Sequence, residues 1–170
     1  MQIPCCRAQV VVADPGIRLA RHTPGFMVWD EHGGTFVLRV EELEAAEAAA
    51  VEAQTGIILE IPLSAPEELI RSLEAFAAQQ ELALAPPLGP ELEEEVVLAA
   101  CHLPAQNLFV FAEEPRLVVK RRGETVELAL EGLFKARRLP CRETDLVIHL
   151  TRPAMARLVA QVLSLARGGL

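Results

Sequence analysis

The fold of the whole chain is predicted from one stretch, which combines an alternating apolar pattern with the start of a helix: Leu59-Glu60-Ile61-Pro62-Leu63-Ser64-Ala65-Pro66. Its leucine and isoleucine side chains alternate along one face, which is typical of a half-buried strand. The hydroxyl of Ser64 can cap the first backbone N–H groups of a following helix, and proline fits the first helical turn. The stretch therefore predicts a strand that leads directly into a capped helix.

The same pattern returns near the C-terminus as Leu146-Val147-Ile148-His149-Leu150-Thr151-Arg152-Pro153. Here Thr151 is the capping hydroxyl, and proline again follows two positions later. The recurrence predicts two similar small halves, each an antiparallel meander followed by helix, strand and helix. A true internal duplication and a similar topology without common ancestry both remain open at this point.

Short apolar runs in the first half are separated by Pro- and Gly-containing turns, as in an antiparallel meander. A segment rich in Ala and Glu then predicts a helix, since both residues are strong helix formers. The predicted strands of this half are 9–13, 17–21, 26–29, 35–40 and 57–63, the turns are 14–16, 22–25 and 30–34, and the helices are 41–54 and 65–80.

The residues from Ala85 to Pro90 contain three prolines and a glycine, which is typical of a linker. We therefore expect an α+β fold with a first half at 1–84, a Pro-rich linker plus connecting helix at 85–104, and a second half at 105–170, packed into one compact unit. Beyond the linker we predict a helix at 91–102, strands at 107–111, 116–120, 125–130 and 145–150, and helices at 131–138 and 152–166.

Charge divides the chain unevenly. Residues 1–104 carry 17 acidic and 5 basic side chains, whereas residues 105–170 carry 7 acidic and 11 basic ones. Such a division can hold the two halves together or present one sign of charge to a partner. The sequence has neither a membrane-spanning apolar run nor a secretory signal, so we expect a cytoplasmic protein. Cys5 and Cys6 are interpreted as small apolar residues of a strand.

Signatures of the common catalytic and cofactor sites are missing. The sequence contains no glycine-rich phosphate loop, no dinucleotide fingerprint, no Cys-x-x-Cys or His-x-x-x-His pair, and no serine in a nucleophile elbow. We therefore interpret the chain as non-catalytic, without a metal or a cofactor. Its expected role is to hold a protein partner through a charged surface, as an adaptor, inhibitor or immunity-type protein does.

The contact surface predicted for that role is the outer face of the acidic helix, at Glu41, Glu44 and Glu47. An acidic face is suited to cover a basic site, such as that of a nuclease. Homodimerisation is compatible with this role.

Two other functions stay open. His22, Asp30 and His32 lie on neighbouring predicted turns, and imidazole beside carboxylate is what a general base requires. They could line a cleft between the halves in a small-molecule sensor or an enzyme, although turns collect such residues because they are solvated there.

A basic hairpin at 116–122 could instead bind nucleic acid through its phosphates. Its cations are Lys120, Arg121 and Arg122, with Arg137 and Arg138 near by in the sequence. Aromatic side chains between the cations, which single-strand binders use for stacking, are lacking. The alternative interpretation is that these cations balance the acidic half within the molecule.

Overall fold

A computed structural model describes residues 1–14, 17–19, 23–41, 56–87, 89–103, 108–138 and 146–168. In these residues the protein is a curled antiparallel sheet with two helices, so the α+β class is confirmed. The strands are β1 (Gln2–Asp14), β2 (Ile17–Leu19), β3 (Thr23–His32), β4 (Thr35–Glu41), β5 (Gly56–Pro62), β6 (Glu91–Glu95), β7 (Leu98–Leu103), β8 (Leu108–Arg122), β9 (Thr125–Arg138) and β10 (Leu146–Leu150), and the helices are α1 (Pro66–Gln79) and α2 (Arg152–Ala166).

The sheet closes on itself. Its strand order is β2-β1-β3-β4-β10-β7-β8-β9-β5, and an additional antiparallel pairing joins β5 back to β1. Only β6, which pairs with β8, and β2, which pairs with β1, lie off this closed path among the described strands. The curvature leaves a concave face on which both helices pack.

Both strands of the recurring pattern pair outside their own half. β5 of the first half pairs with β9, placing Leu59 opposite Leu128, and β10 of the second half pairs with β4, placing Ile148 opposite Leu38. All four of these side chains are fully buried. The predicted halves therefore contribute to one sheet, whereas their similarity and their boundaries stay predictions.

Helix α2 is buried on nearly every side. It contacts β4, β6, β8 and β9 as well as α1, and its side chains from Ala154 to Ala166 are buried apart from Arg157 and Ser164. Helix α1 buries one face only, where the Phe76 ring meets Trp29 and Phe36 edge to face at centroid distances of 6.4 and 6.3 Å. The sheet thus wraps around α2, and α1 covers part of its remaining surface.

The two predicted helix caps have different outcomes. Thr151 is the N-cap of α2 and accepts a hydrogen bond from the Ala154 backbone N–H at 3.3 Å, as expected. The predicted cap by Ser64 is wrong, because the N-cap of α1 is Ala65 and no side chain caps this helix. Two acidic residues in the first turn, Glu67 and Glu68, favour the positive end of the helix dipole instead.

The predicted helix at 91–102 is wrong, because this segment forms β6 and β7. Leu92, Glu94 and Val96 face inward, which is a period of two that the acid-rich composition concealed. Pairing with β8 replaces the helix: Glu91 lies in register opposite Lys120, and Glu95 opposite Arg116. Arg116 forms its ion pair with Glu93, which lies between these two glutamates.

The predicted short helix at 131–138 is also wrong, because β9 continues to Arg138. A bulge lies within the β8–β9 hairpin, where Glu114 and Pro115 of β8 oppose Gly132 alone. Glu114 adopts a φ of 47° and Gly132 a φ of 157°. Such bulges bend a strand and increase its twist, which suits a sheet that must curl.

Three smaller predictions change as well. Thr23 to Gly25, predicted as part of a turn at 22–25, belong to β3. Asp30 to His32 belong to β3 as well, so the predicted turn at 30–34 is reduced to Gly33 and Gly34. The separate strands at 107–111 and 116–120 are one strand, β8, and the predicted three-stranded meander becomes a long hairpin. Of the predicted helix at 41–54, Glu41 belongs to β4 and the rest lies outside the described residues.

We predict that Gly132→Ala destabilises the protein by about 1–3 kcal/mol, since a side chain there is strained and its Cβ would lie 3.0 Å from the Glu113 carbonyl oxygen. Gly89→Ala is the matched control, because a Cβ at Gly89 meets nothing within 4 Å, and it should change the stability by less than about 0.5 kcal/mol. Urea denaturation measures both. Equal stability of the two variants would contradict the described bulge.

Candidate functional site: the free edge of strand β6

Strands β6 and β7 lie end to end along the same edge of β8. Glu95 is opposite Arg116 and Ala100 is opposite Phe111, so both pairings keep one register across the interruption at Val96 and Val97. They therefore form a single line of chain beside β8. The two strands differ in what lies along the edge that faces away from β8.

On the edge away from β8, a further strand pairs with β7, but no described strand pairs with β6. β10 pairs with β7 from Leu98 to Cys101 and then ends at Leu150, where Thr151 starts the turn into α2. Strand β8 is the one described partner of β6. The edge of β6 is therefore free among the described residues, at the place that β10 would occupy if it continued.

Two backbone hydrogen bonds fix which groups of β6 point to this edge. The Val96 N–H donates to the Pro115 carbonyl oxygen of β8 at 2.9 Å, and the Val97 N–H donates the other way, to the His149 carbonyl oxygen of β10, at 2.8 Å. Because successive residues of a strand alternate their direction of hydrogen bonding, Leu92 and Glu94 bond towards β8. The backbone groups of Glu91, Glu93 and Glu95 then point to the free edge.

A groove of about 540 Å³ runs along this edge, between β6 and the first turns of α2. One wall is β6 itself, and the other includes Thr151, Ala154 and Arg157. Val97, at the end of the groove, is 58% exposed, whereas most large apolar side chains among the described residues are buried. The groove thus combines unpaired backbone groups with an exposed apolar contact.

The outer face of β6 is acidic. Glu91, Glu93 and Glu95 are all exposed. Arg116 forms ion pairs with Glu93 and, at 3.6 Å, with Glu131, so one cation is shared between two carboxylates. Glu91 and Glu95 have no ion pair with any described residue.

A second concavity, of about 1160 Å³, continues this acidic face where β6, β8 and β9 diverge at the bulge. Its walls include Glu95, Glu113 and Glu114, together with Leu133, which is 61% exposed. Lys135 pairs with Glu113 at 2.6 Å, but Glu114 has no ion pair among the described side chains. Negative charge therefore dominates the outer face from β6 to the bulge.

The inner face of β6 is held to α2 by a bidentate ion pair. Arg157 donates from Nε to Oε1 of Glu94 and from its terminal nitrogen to Oε2 at 2.9 Å. Glu94 is only 6% exposed, and its hydrogen bond raises the pKa of Arg157 above the ordinary value. Next to it, Gln161 donates to the Gly89 carbonyl oxygen at 3.3 Å. These contacts fix the strand that forms the groove.

We predict that Arg157→Leu destabilises the protein by about 1–3 kcal/mol, because it leaves the carboxylate of Glu94 buried without its partner. The double variant Glu94→Leu/Arg157→Leu should regain most of this loss, since removal of both partners leaves no buried charge. A double-mutant cycle by urea denaturation measures the coupling. A coupling free energy near zero would show that the pair does not hold β6.

Of the predicted acidic helix surface, the structure describes Glu41 alone, so this surface stays a prediction. Glu41 lies at the end of β4, half-buried and 3.6 Å from Arg39, while Glu44 and Glu47 lie outside the described residues. The acidic surface that the structure does describe is on β6. Sequence reasoning missed it because it placed these glutamates in the first turns of a helix.

The predicted basic hairpin uses much of its charge within the molecule. Arg121 donates to the carbonyl oxygens of Gly123 at 3.0 Å and of Leu165, in the last turn of α2, at 3.3 Å. Arg122 pairs with the buried carboxylate of Glu127 at 3.2 Å. Lys120 stands in register between Glu127 and Glu91, and the side chains of Arg137 and Arg138 lie outside those described.

The predicted polar cluster is only partly brought together. Asp30 pairs with Arg39 at 3.3 Å, His32 is exposed at the end of β3, and His22 lies outside the described residues. Neither Asp30 nor His32 lines the groove beside β6 or the concavity at the bulge. Among the described residues, no group of three or more His, Cys, Asp or Glu side chains could hold a metal ion.

The structure instead places a second histidine beside His32. His149 Nδ1 lies 3.2 Å from the Thr35 hydroxyl oxygen, and that hydroxyl donates to the His32 carbonyl oxygen at 2.9 Å. Burial first, and then the charge of His32, lower the pKa of His149 below its ordinary value of 6.5. His149 thus favours the neutral form in the folded protein.

From this shift we predict that the free energy of unfolding decreases on acidification. The unfolded chain takes up a proton at His149 from about pH 6.5 downwards, before the folded protein does, so stability is lost as the pH falls through the lowered pKa. His149→Asn should flatten this dependence, and His32→Gln should raise the pKa of His149 in an NMR titration. Titration of wild-type His149 at or above 6.5 would contradict the described packing.

Comparison with protein-family models, with curated proteins and with solved structures gives no match to this chain. Within the part of the chain that the structure describes, neither helix has the length and apolar character to cross a bilayer.

Proposed function

We propose that this chain is a non-catalytic binding protein that holds a basic protein partner through the acidic surface of β6. The role is that of an adaptor, an inhibitor or an immunity-type protein. The contact surface comprises Glu91, Glu93 and Glu95, with the acidic concavity at the bulge beside them.

The observation that supports this proposal most is the distribution of charge. Most described cations are engaged within the molecule: Arg39, Arg116, Arg122, Lys135, Arg157 and Arg167 form ion pairs, and Arg121 and Arg152 donate to backbone carbonyl oxygens. Several exposed carboxylates keep no such partner among the described residues, and Glu91, Glu95 and Glu114 gather around β6. Unbalanced surface charge of one sign selects partners of the opposite sign.

The same distribution of charge argues against nucleic-acid binding and against a small-molecule sensor or enzyme. A nucleic-acid surface needs cations that are free to contact phosphates, whereas two of the three hairpin cations already bond within the chain. A ligand cleft would need the polar cluster at the wall of a concavity, and Asp30 is engaged by Arg39 instead.

The internal duplication is a further part of this proposal. Around the closed sheet, β1, β3 and β4 of the first half are followed by β10 of the second half, and β8 and β9 of the second half are followed by β5 of the first half, while β7 belongs to the predicted connecting segment. Each half would thus supply neighbouring strands of its own and one strand that reaches the other half. A duplicated ancestor that first paired as two copies accounts for this order.

The test of the binding role is affinity capture from native lysate with wild-type protein and with the triple variant Glu91→Lys/Glu93→Lys/Glu95→Lys. We predict that the wild type retains a basic protein and that the triple variant reduces its binding about tenfold or more, because reversed charges repel it. The affinity should also decrease as the salt concentration rises. Binding is then quantified by titration with the captured protein.

The matched control is Glu31→Lys/Glu67→Lys/Glu81→Lys, which makes the same change of charge at exposed carboxylates without ion pairs among the described residues. This control should retain the partner. If both triple variants lose it equally, only the net charge matters, and if neither loses it, β6 is not the contact surface.

A further inference from the structure

Resting on this proposed function, we propose that the partner binds as an extended segment that adds an antiparallel strand to the free edge of β6. The segment carries basic side chains at alternate positions and apolar side chains between them. The backbone of β6 provides the affinity, and its glutamates select the sequence.

The first argument is the geometry of the edge. The outward backbone groups of Glu91, Glu93 and Glu95 form a row with no partner among the described residues, next to a groove between β6 and α2. An added strand lies about 4.8 Å from its neighbour. It would continue the line of β10, which leaves the sheet at Leu150.

The second argument is the alternation of the side chains on both faces. In an antiparallel pair, residues directly opposite each other project to the same face. Residues of the segment opposite the three glutamates would therefore project to the acidic outer face, where Lys or Arg fits best. Intervening residues would project into the groove, towards Ala154 and the apolar stem of Arg157.

Charge also indicates whether the strand added to β6 comes from a partner or from a second copy of this chain. Two β6 strands paired edge to edge would place glutamates directly opposite glutamates, and like charges opposite each other destabilise a sheet. The acidic side chains thus protect the edge against self-association, while leaving it open to a basic strand.

The test uses a short acetylated and amidated peptide of alternating Lys and Val, in two N-methylated forms. In the proposed pairing the Lys N–H groups bond to β6 and the Val N–H groups point away. Methylation at the Lys residues should therefore weaken binding at least tenfold, and methylation at the Val residues should leave it nearly unchanged. Calorimetric titration of the full chain measures both, and equal binding of the two peptides overturns the proposal.

A protein variant tests the same hydrogen bonds from the other side. Glu93→Pro removes an outward N–H while the bonds of Leu92 and Glu94 to β8 stay, and proline is tolerated on edge strands whose N–H faces solvent. Glu93→Gln is the control, since it loses the charge and keeps the N–H. Proline should weaken peptide binding at least fivefold more than glutamine does, and equal effects of the two count against strand addition.

The outcomes separate this inference from the binding role itself. If charge reversal at β6 abolishes binding and the two methylated peptides bind alike, the acidic surface remains and strand addition is wrong. If charge reversal has no effect, both proposals are wrong. A dimer in light scattering that dissociates with Glu93→Pro would assign the edge to a second copy of the chain and overturn the peptide proposal.

Discussion

The burial of helix α2 is the constraint on which the other features depend. Met155, Leu158, Val159 and Val162 are fully buried, and each contributes about 1.5–3 kcal/mol relative to an exposed side chain. Their sum is comparable to the whole stability of an ordinary domain. A helix that is apolar on nearly all faces cannot be covered by a flat sheet, so the sheet must curl around it and close.

This closure explains why β6 is left with a free edge. β10 must end at Leu150 for the chain to enter α2 at Thr151, so it covers β7 but not β6. β6 nevertheless has to stay in place, because it covers the side of α2 that carries Gln161 and Arg157. The Glu94–Arg157 pair holds it there, and among the described strands β8 is its one neighbour. A candidate binding edge is thus a consequence of how the core is enclosed.

Sequence patterns predicted the elements whose signal is local. The alternating strands β4, β5 and β10 and the helices α1 and α2 agree with their predicted positions, because a period of two or of 3.6 is visible within each stretch. Glu91 to Leu103 fits both periods, and helix propensity favoured the wrong one. The deciding interaction is the pairing with residues 116–120 of β8, which lie 21 to 29 positions later in the chain than their partners in β6.

The candidate site was missed for the same reason. Four glutamates among five residues look like the solvated start of a helix, and only the pairing with β8 places Glu91, Glu93 and Glu95 on one face of an edge strand. Two of the three described hairpin cations are engaged within the chain, Arg121 by the carbonyl oxygen of the distant Leu165 and Arg122 by the carboxylate of Glu127. Topology, which composition does not reveal, decides which charges stay available.

Amide hydrogen exchange of residues 91–96, followed by NMR, tests the central claim most directly. An edge strand that pairs with β8 on one side predicts slow exchange at Leu92, Glu94 and Val96 and fast exchange at Glu91, Glu93 and Glu95. Uniformly slow exchange at all six amides would mean that the edge is already covered, and fast exchange from Glu91 to Glu94 followed by slow exchange at Glu95 and Val96 would mean that a helix begins there. Either finding would contradict the account of β6 as a free acidic edge.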